Sequence, residues 1–397
     1  MYYFIIWLII ASSATLYFLY QNKTVWRWAC TICYIALVFT AGLRYETGTD
    51  YFSYLEIYNK VPPLTHFFPV INDMEVGYIF LNSLFQTMGV AINVMFLFIS
   101  AITTFILFRS FQTYIPRPFF FVSLLLYYST IYIGLDMSGV RQAIAVAIFL
   151  FSLRYVFRSQ FWKYSLCIII ACLFHQSALL LWAFYPVLKM RFRLSVIIPV
   201  LGIGILIFIF KIAWLHTLLE YGASLFSEDT LIGQKLIAYS SSEIFLRNRP
   251  FSPAIPFYMT LFILLILAFI KRLRLSEQTP YFTIIFNLFF LFILSFFYLY
   301  ESLDISFRFG YYFMLSYVFL FPLALGLLKS RKQHLIVAMT AIFMLSAYTM
   351  REVFLEGNKQ MRMYRPYQNY VWIKMGLQHS DTEKHKLKSE PPDEDMN

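Results

Sequence analysis

Long apolar stretches recur along the whole chain, and short polar segments separate them. Lipid offers no hydrogen-bond partners to the backbone, so a stretch that crosses the hydrocarbon core must be a helix. Many stretches approach the length that spans a bilayer, and together they predict an all-α, polytopic integral membrane protein with roughly 10–12 transmembrane or re-entrant helices. The predicted spans are 1–20, 25–43, 76–108, 118–135, 139–157, 164–188, 194–212, 254–271, 281–299, 309–328 and 333–350.

Two of these stretches do not fit a single straight span. The stretch 76–108 is too long for one crossing, and we predict that Gly89 divides it into a helix on or in the membrane and a crossing helix. The polar triplet 175–177 interrupts 164–188 near its middle, which indicates either a broken helix or a hairpin.

Basic residues collect in the cytoplasmic loops of membrane proteins and therefore predict orientation. Their distribution places the segments 44–75 and 212–253 outside, as ordered loops over the membrane face. The basic residues of 189–193 stay cytoplasmic only if 164–188 doubles back, so we favour the hairpin. The other cytoplasmic clusters are Lys23 with Arg27, Arg109 with Arg117, Arg154 with Arg158 and Lys163, 271–274, and 329–332.

The composition supports a membrane protein and narrows its chemistry. The chain has 397 residues, of which 60% are hydrophobic and 13% charged, whereas soluble domains carry about 25% charged residues. The net charge of +11 follows from the basic loops, so we expect no nucleic-acid partner. Cys30 and Cys33 form a C-x-x-C inside an apolar stretch with no nearby His or Cys partner, and neither a metal nor a cofactor is expected. We expect one membrane domain over 1–376 and a disordered tail over 377–397.

Charged residues in apolar surroundings are costly in lipid and therefore mark candidate functional sites. The first group follows the second span. Arg44 could bind a phosphate through its forked guanidinium, and Asp50 could act as a general base or bind sugar hydroxyls. Thr49, Tyr51 and Tyr54 are candidate sugar contacts. An ordinary loop with a local Arg44–Asp50 pair is the alternative.

A second group opens the span 139–157. A helix N-terminus favours anions, and Arg141 in the first turn adds a full positive charge, which suits a diphosphate. Gln142 beside it is a candidate sugar contact. The alternative is a salt bridge between Asp136 and Arg141.

The remaining candidates lie later in the chain or in shorter fragments. His175 could be a base or a hydrogen-bond donor, although a lone histidine in apolar surroundings is often only a packed core residue. Arg308 is a further phosphate candidate, with pairing to Asp304 as the alternative. Glu75 and Tyr367 lie in short charged and aromatic fragments and are candidate sugar contacts.

In this order and spacing, the motifs resemble the EpsG family of Wzy-like bacterial polysaccharide polymerases. The resemblance runs from about Arg44 to about Tyr370 and departs from the family pattern at Glu46-Thr47. Each motif alone is weakly specific, and the order makes the set informative. The motifs are Arg44…Gly48-Thr49-Asp50-Tyr51…Tyr54, Glu75-x-Gly77-Tyr78, Arg141-Gln142-x-Ile144-Ala145, Phe174-His175-x-Ser177-Ala178, Arg308…Tyr311-Tyr312 and Tyr364–Tyr367.

The resemblance implies a GT-C-like glycosyltransferase of the bacterial inner membrane that needs no nucleotide sugar. It would join undecaprenyl-diphosphate-linked oligosaccharide units on the outer face, among membrane lipid, with a chain-length regulator and a flippase as partners. The leaving diphosphate needs cations, for which Arg44, Arg141 and Arg308 are available. The acceptor hydroxyl needs a base. We rank Asp50 above His175, because Asp50 lies on the face where sugars are.

Two other functions fit the same sequence. A polysaccharide flippase or exporter would favour inverted repeats, and no repeat is visible. A membrane acyltransferase that modifies glycans would use His175 as its base.

Overall fold

The computed structural model describes residues 1–66, 74–226, 281–325, 332–351 and 359–380, with three isolated positions between 230 and 237. The described residues are all-α, as predicted. The predicted span 254–271 and most of the predicted outside loop 212–253 lie outside them. By internal contacts the chain forms two compact units: 1–185 with 321–396, and 186–320.

The described helices follow the predicted spans closely. Five are long and apolar enough to cross a membrane, and a sixth is added if the bent pair Leu194–Phe210 and Trp214–Leu225 is one span, so the chain is a membrane protein. The helices are α1 Tyr2–Tyr20, α2 Lys23–Gly42, α3 Tyr51–Lys60, α4 Val76–Thr87, α5 Ile92–Tyr114, α6 Phe120–Tyr127, α7 Ile133–Leu135, α8 Val140–Phe157, α9 Phe161–Cys172, α10 Phe184–Lys189, α11 Leu194–Phe210, α12 Trp214–Leu225, α13 Phe282–Tyr298, α14 Leu303–Leu325, α15 Lys332–Arg351, α16 Lys359–Arg362 and α17 Tyr370–Lys374.

The first unit is built around neighbouring helices that are close in sequence. Helix α2 packs on α1 and α5, and α8 packs on α5 and α9. A π-helical turn, Tyr128–Tyr132, joins α6 to α7 within the fourth predicted span. Gly89 has a left-handed backbone with φ of 64° between α4 and α5. The predicted division of 76–108 at Gly89 is therefore confirmed, because this conformation ends a helix at little cost for glycine.

The segment 164–188 doubles back on itself, as the hairpin prediction requires. Helix α9 ends at Cys172, and His175 has an extended backbone. A 3-10 helix, Gln176–Ala183, then returns alongside α9. The Tyr164 hydroxyl donates to the Leu181 carbonyl at 2.6 Å, and Trp182 Nε1 donates to Ser165 Oγ at 2.8 Å. His175 thus lies at the tip of a hairpin rather than inside a continuous helix.

In the second unit, a buried carboxylate fixes the direction of α12. Helices α11 and α12 meet at 89°. Glu301 accepts hydrogen bonds from the backbone amides of Leu215 and His216 at 2.8 and 3.0 Å. A carboxylate at a helix N-terminus satisfies amides that have no partner within the helix. Glu301 is therefore a capping residue for α12.

Cysteine labelling tests the hairpin and the orientation together. In a background without the four native cysteines, we expect Ser159→Cys and Met190→Cys to react with an impermeant maleimide only in inverted vesicles. Met88→Cys, in the exposed turn after α4, should react only in right-side-out vesicles. Reaction of Met190→Cys together with Met88→Cys would show that 164–188 crosses the membrane once.

Candidate functional site

Three charged or titratable side chains from distant parts of the sequence meet in the first unit, and we call them the Glu75 cluster: Glu75, Arg141 and His175. Arg141 Nη1 lies 2.5 Å from Glu75 Oε2. His175 Nδ1 lies 3.4 Å from Glu75 Oε1, which also accepts the backbone amide of Gln176 at 3.3 Å. The two carboxylate oxygens therefore face two different partners, one a cation and the other an imidazole.

Each member of the cluster stands at an end or a break of a helix. Glu75 directly precedes α4, Arg141 lies in the first turn of α8, and His175 lies at the hairpin tip. Gly77 holds the start of α4 against the end of α9, since its amide donates to the Leu173 carbonyl at 2.8 Å. A Cβ at Gly77 would lie 2.7 Å from that carbonyl oxygen, so only glycine permits this approach.

The cluster is mostly shielded from solvent. The side chain of Glu75 is 7% exposed and that of Arg141 is 27% exposed. Burial alone would raise the pKa of Glu75, but the contact with His175 and the charge of Arg141 outweigh burial and lower this pKa to about 2. Glu75 is thus a permanent anion at neutral pH, and Arg141 is its counter-ion.

The His175 ring has unused hydrogen-bonding capacity. Its Nδ1 faces Glu75 at 3.4 Å and its Nε2 is buried, and neither nitrogen has a hydrogen-bond partner among the residues that the structure describes. A carboxylate on one ring nitrogen sets the orientation of an imidazole and favours proton transfer at the other nitrogen. The arrangement therefore suits a general base, with Glu75 orienting it.

Asp50 lies in the electrostatic field of the same cluster. It is half-buried, and its Oδ1 accepts the hydroxyl of the exposed Thr49 at 3.0 Å. Burial raises the pKa of Asp50, and the Thr49 hydrogen bond and the charges of Arg141 and Arg44 oppose this rise. The structure forms no Arg44–Asp50 ion pair between these described residues.

Arg44 lies in the protein interior, although we predicted a diphosphate contact there. It is 1% exposed, and its guanidinium carbon lies 4.1 Å from the centre of the Phe96 ring. Its Nη1 donates to the Ala41 carbonyl at the end of α2. In this position Arg44 anchors the start of the loop and does not line the surface.

The tyrosines that we predicted as sugar contacts are also buried, and their contact with sugar stays a prediction. Tyr51 and Tyr54 belong to the aromatic core around Phe96. Tyr367 stacks on Tyr2 with 3.8 Å between ring centres, and its hydroxyl donates to the Thr40 carbonyl at 3.0 Å. Aromatic packing of this kind stabilises the fold, and Tyr54 also borders the Glu75 cluster, since the Arg141 guanidinium carbon lies 6.0 Å from the centre of its ring.

The remaining candidates lie on three stretches of the fold. Gln142 is buried on α8, next to Arg141 in sequence. Arg308 is exposed on α14, which belongs to the second unit. Asp136 does not pair with Arg141, as the alternative required, because its carboxylate accepts the hydroxyl of Tyr127.

Sequence reasoning selected all three cluster residues but did not predict that they meet. It treated Glu75 as a sugar contact, whereas Glu75 is the bridge between the other two. Two neighbours, Ser138 and Tyr364, lie in fragments that the sequence had marked, 138–142 and 364–367, but no role was predicted for either side chain. Their hydroxyl oxygens lie 2.5 Å apart across 226 residues of sequence, a separation at which no local pattern can indicate a contact.

Within the described ranges, no three His, Cys, Asp or Glu side chains converge on a point where a metal ion could be held. The cluster residues themselves comprise one acid, one base and one cation.

Comparison with known proteins gives one match. The model of the EpsG family matches residues 26–369 of the chain, a range that includes every member of the Glu75 cluster. No curated protein and no solved structure matches. The GT-C-like character expected from the sequence therefore stays a prediction.

The lowered pKa of Glu75 predicts how its contribution to stability depends on pH. Its stabilising effect should be fully present above its ordinary pKa of 4.5 and should disappear as the pH falls towards about 2. We expect Glu75→Gln to destabilise the protein in detergent by about 2 kcal/mol near pH 7, because a buried charge loses its partner. The difference from wild type should shrink below pH 4.5.

Glu56→Gln is the matched control, because Glu56 pairs with Lys60 at 2.7 Å on an exposed face of α3. An exposed pair contributes only about 0–1 kcal/mol. Thermal unfolding of the three proteins between pH 3 and pH 7 checks the prediction. Equal unfolding midpoints for both variants at pH 7 would show that the Glu75–Arg141 pair contributes no more than a surface pair.

Proposed function

The chain belongs to the EpsG family, and on that premise we propose that it joins lipid-linked oligosaccharide repeat units into a surface polysaccharide. The family supports a polysaccharide-polymerase type of function broadly. Our proposal is more specific: the donor is an undecaprenyl-diphosphate-linked chain, the acceptor is a hydroxyl of the next lipid-linked unit, and transfer occurs on the outer face of the bacterial inner membrane. The protein would then be a glycosyltransferase that needs no nucleotide sugar.

The observation that carries this proposal is the meeting of a cation, an acid and a base in the Glu75 cluster. In the transfer, the bond between the anomeric carbon and the diphosphate oxygen breaks. The bond between that carbon and the acceptor oxygen forms, and the acceptor proton passes to a base. Arg141 would stabilise the charge that develops on the leaving diphosphate, and His175 Nε2 would receive the proton.

Arg141 must exchange partners for this chemistry to occur. In the structure Glu75 already neutralises Arg141 at 2.5 Å. A diphosphate carries more negative charge than one carboxylate and offers several oxygens to the guanidinium fork, so it can compete with Glu75 for the same donors. Glu75 would then keep its contacts with His175 and the amide of Gln176, both of which use the other carboxylate oxygen.

The geometry supports His175 as the base ahead of Asp50, which reverses the order given by sequence alone. The Glu75 carboxylate faces the His175 ring and orients it. The Asp50 carboxylate has only Thr49 as a side-chain hydrogen-bond partner among the described contacts. We propose that Asp50 and Thr49 bind hydroxyls of the acceptor sugar, with Gln142 as a further contact. A chain-length regulator and a flippase are the proposed partners.

Substitutions in the cluster should separate these roles. We expect Arg141→Ala and His175→Ala each to lower the single-turnover rate of transfer between purified lipid-linked units by roughly 100-fold or more. Arg141→Lys should restore only part of this loss, because lysine lacks the forked geometry. Asp50→Asn should weaken acceptor binding more than it slows the saturated rate.

Lys60→Ala is the matched control, since Lys60 is also a cation paired with a glutamate, on the exposed face of α3. It should leave the rate unchanged. Polymer ladders from the wild-type protein would support the polymerase. Movement of lipid-linked units across vesicles without bond formation would support the flippase instead. A normal rate in His175→Ala with a lost rate in Asp50→Asn would return the role of base to Asp50.

A further inference from the structure

The segment from Met363 to Ser380, here called the C-terminal strap, lies directly on the loop that carries Asp50. Arg44 and Asn369 form an antiparallel bridge. The amide of Tyr45 donates to the Gln368 carbonyl at 2.8 Å, and the amide of Tyr370 donates to the Leu43 carbonyl at 2.8 Å. Residues more than 300 positions apart in sequence are thus joined through their backbones.

The strap makes further contacts within this loop, which runs over 43–50 between α2 and α3. The amide of Gly48 donates to the Met363 carbonyl at 3.0 Å. Ser380 Oγ, which lies within the predicted tail 377–397, donates to Glu46 Oε2 at 2.5 Å. The rest of the predicted tail, 381–397, lies outside the described residues.

Two buried hydroxyls connect the strap to the residue beside Asp50. Ser138 Oγ lies 2.5 Å from the Tyr364 hydroxyl, and it accepts the backbone amide of Thr49 at 3.0 Å. Ser138 and Tyr364 are 4% and 3% exposed. The Tyr364 carbonyl in turn accepts the hydroxyl of Tyr3 at 2.8 Å, which ties the strap to α1.

Gly48 lets the loop pass close to the turn before α8. Gly48 has a φ of 106°, a conformation open mainly to glycine, and a Cβ there would lie 2.6 Å from the Met137 carbonyl. The loop is therefore held closely between the strap and the turn before α8. The same turn leads three residues later to Arg141.

We propose that Ser138 and Tyr364 are positioning residues. They hold Thr49 and Asp50 at the position, relative to the Glu75 cluster, that the transfer requires. The proposal rests on the proposed function for its catalytic consequence. The link is short: Tyr364 holds Ser138, Ser138 holds the amide of Thr49, and Thr49 Oγ1 donates to Asp50. Catalysis depends steeply on such placement, and an error of about 1 Å can lower a rate by roughly 100-fold.

The test removes single hydroxyls from the full-length purified protein. Tyr364→Phe and Ser138→Ala should each lower the transfer rate at subsaturating acceptor by roughly 10- to 100-fold, because a displaced Thr49–Asp50 pair binds the acceptor more weakly. The concentration of lipid-linked donor at half-saturation should change by less than about twofold, because the donor diphosphate is held by Arg141. The double variant should be little worse than either single variant, because both hydroxyls serve one connection.

Tyr114→Phe is the matched control. Its hydroxyl is fully buried in the same unit and donates to the Leu150 carbonyl at 2.8 Å, a bond between the last turn of α5 and the second half of α8. Tyr114→Phe should keep the wild-type rate, and all three tyrosine and serine variants should unfold at similar temperatures. Wild-type rates in Tyr364→Phe and Ser138→Ala would overturn the proposal. Rate losses that merely follow a larger loss of thermal stability than the control shows would also overturn it.

A spin label separates failure of this inference from failure of the proposed function. Thr49 is exposed, so a label on Thr49→Cys in a background without the native cysteines reports the mobility of the loop directly. The label should have low mobility in the background with Tyr364 and higher mobility with Tyr364→Phe, whether or not the protein makes polymer. An equally ordered label in both backgrounds would overturn the positioning role. An inactive wild-type protein with the expected mobility change would contradict only the proposed function.

Discussion

The ion pair between Glu75 and Arg141 is the interaction on which the candidate site depends. Removing two charges from water is costly, and the cost is offset only when geometry and further hydrogen bonds satisfy both groups. The Glu75 carboxylate achieves this with Arg141 on one oxygen and with His175 and a backbone amide on the other. Breaking the pair without a replacement leaves a mostly buried charge, so a substrate that separates it must itself be an anion.

Several features of the fold serve to bring these residues together. The left-handed Gly89 separates α4 from α5, so Glu75 precedes a short helix and not one long span. The hairpin tip places His175 where α9 has ended, and the close contact at Gly77 joins that tip to the start of α4. Irregular backbone inside a membrane protein is tolerated where other protein groups satisfy it. Here the breaks in the helices are the positions that carry the charged side chains.

Much of the fold could be predicted from hydrophobicity and charge, because both act locally along the sequence. The span lengths, the division at Gly89 and the hairpin around His175 follow from apolar runs, one glycine and the position of basic residues. The partners of the side chains could not be predicted this way. Arg44 is an arginine after a span, like many surface anchors, and only tertiary packing shows that it lies under Phe96. The same holds for Tyr367, which packs on Tyr2.

A structure of the protein with bound undecaprenyl diphosphate tests the central claim most directly. The account predicts that diphosphate oxygens lie within about 2.7–2.9 Å of the Arg141 guanidinium, that the Glu75–Arg141 contact has opened, and that Glu75 still faces His175. A diphosphate bound elsewhere, with the 2.5 Å contact between Glu75 and Arg141 intact, would contradict it.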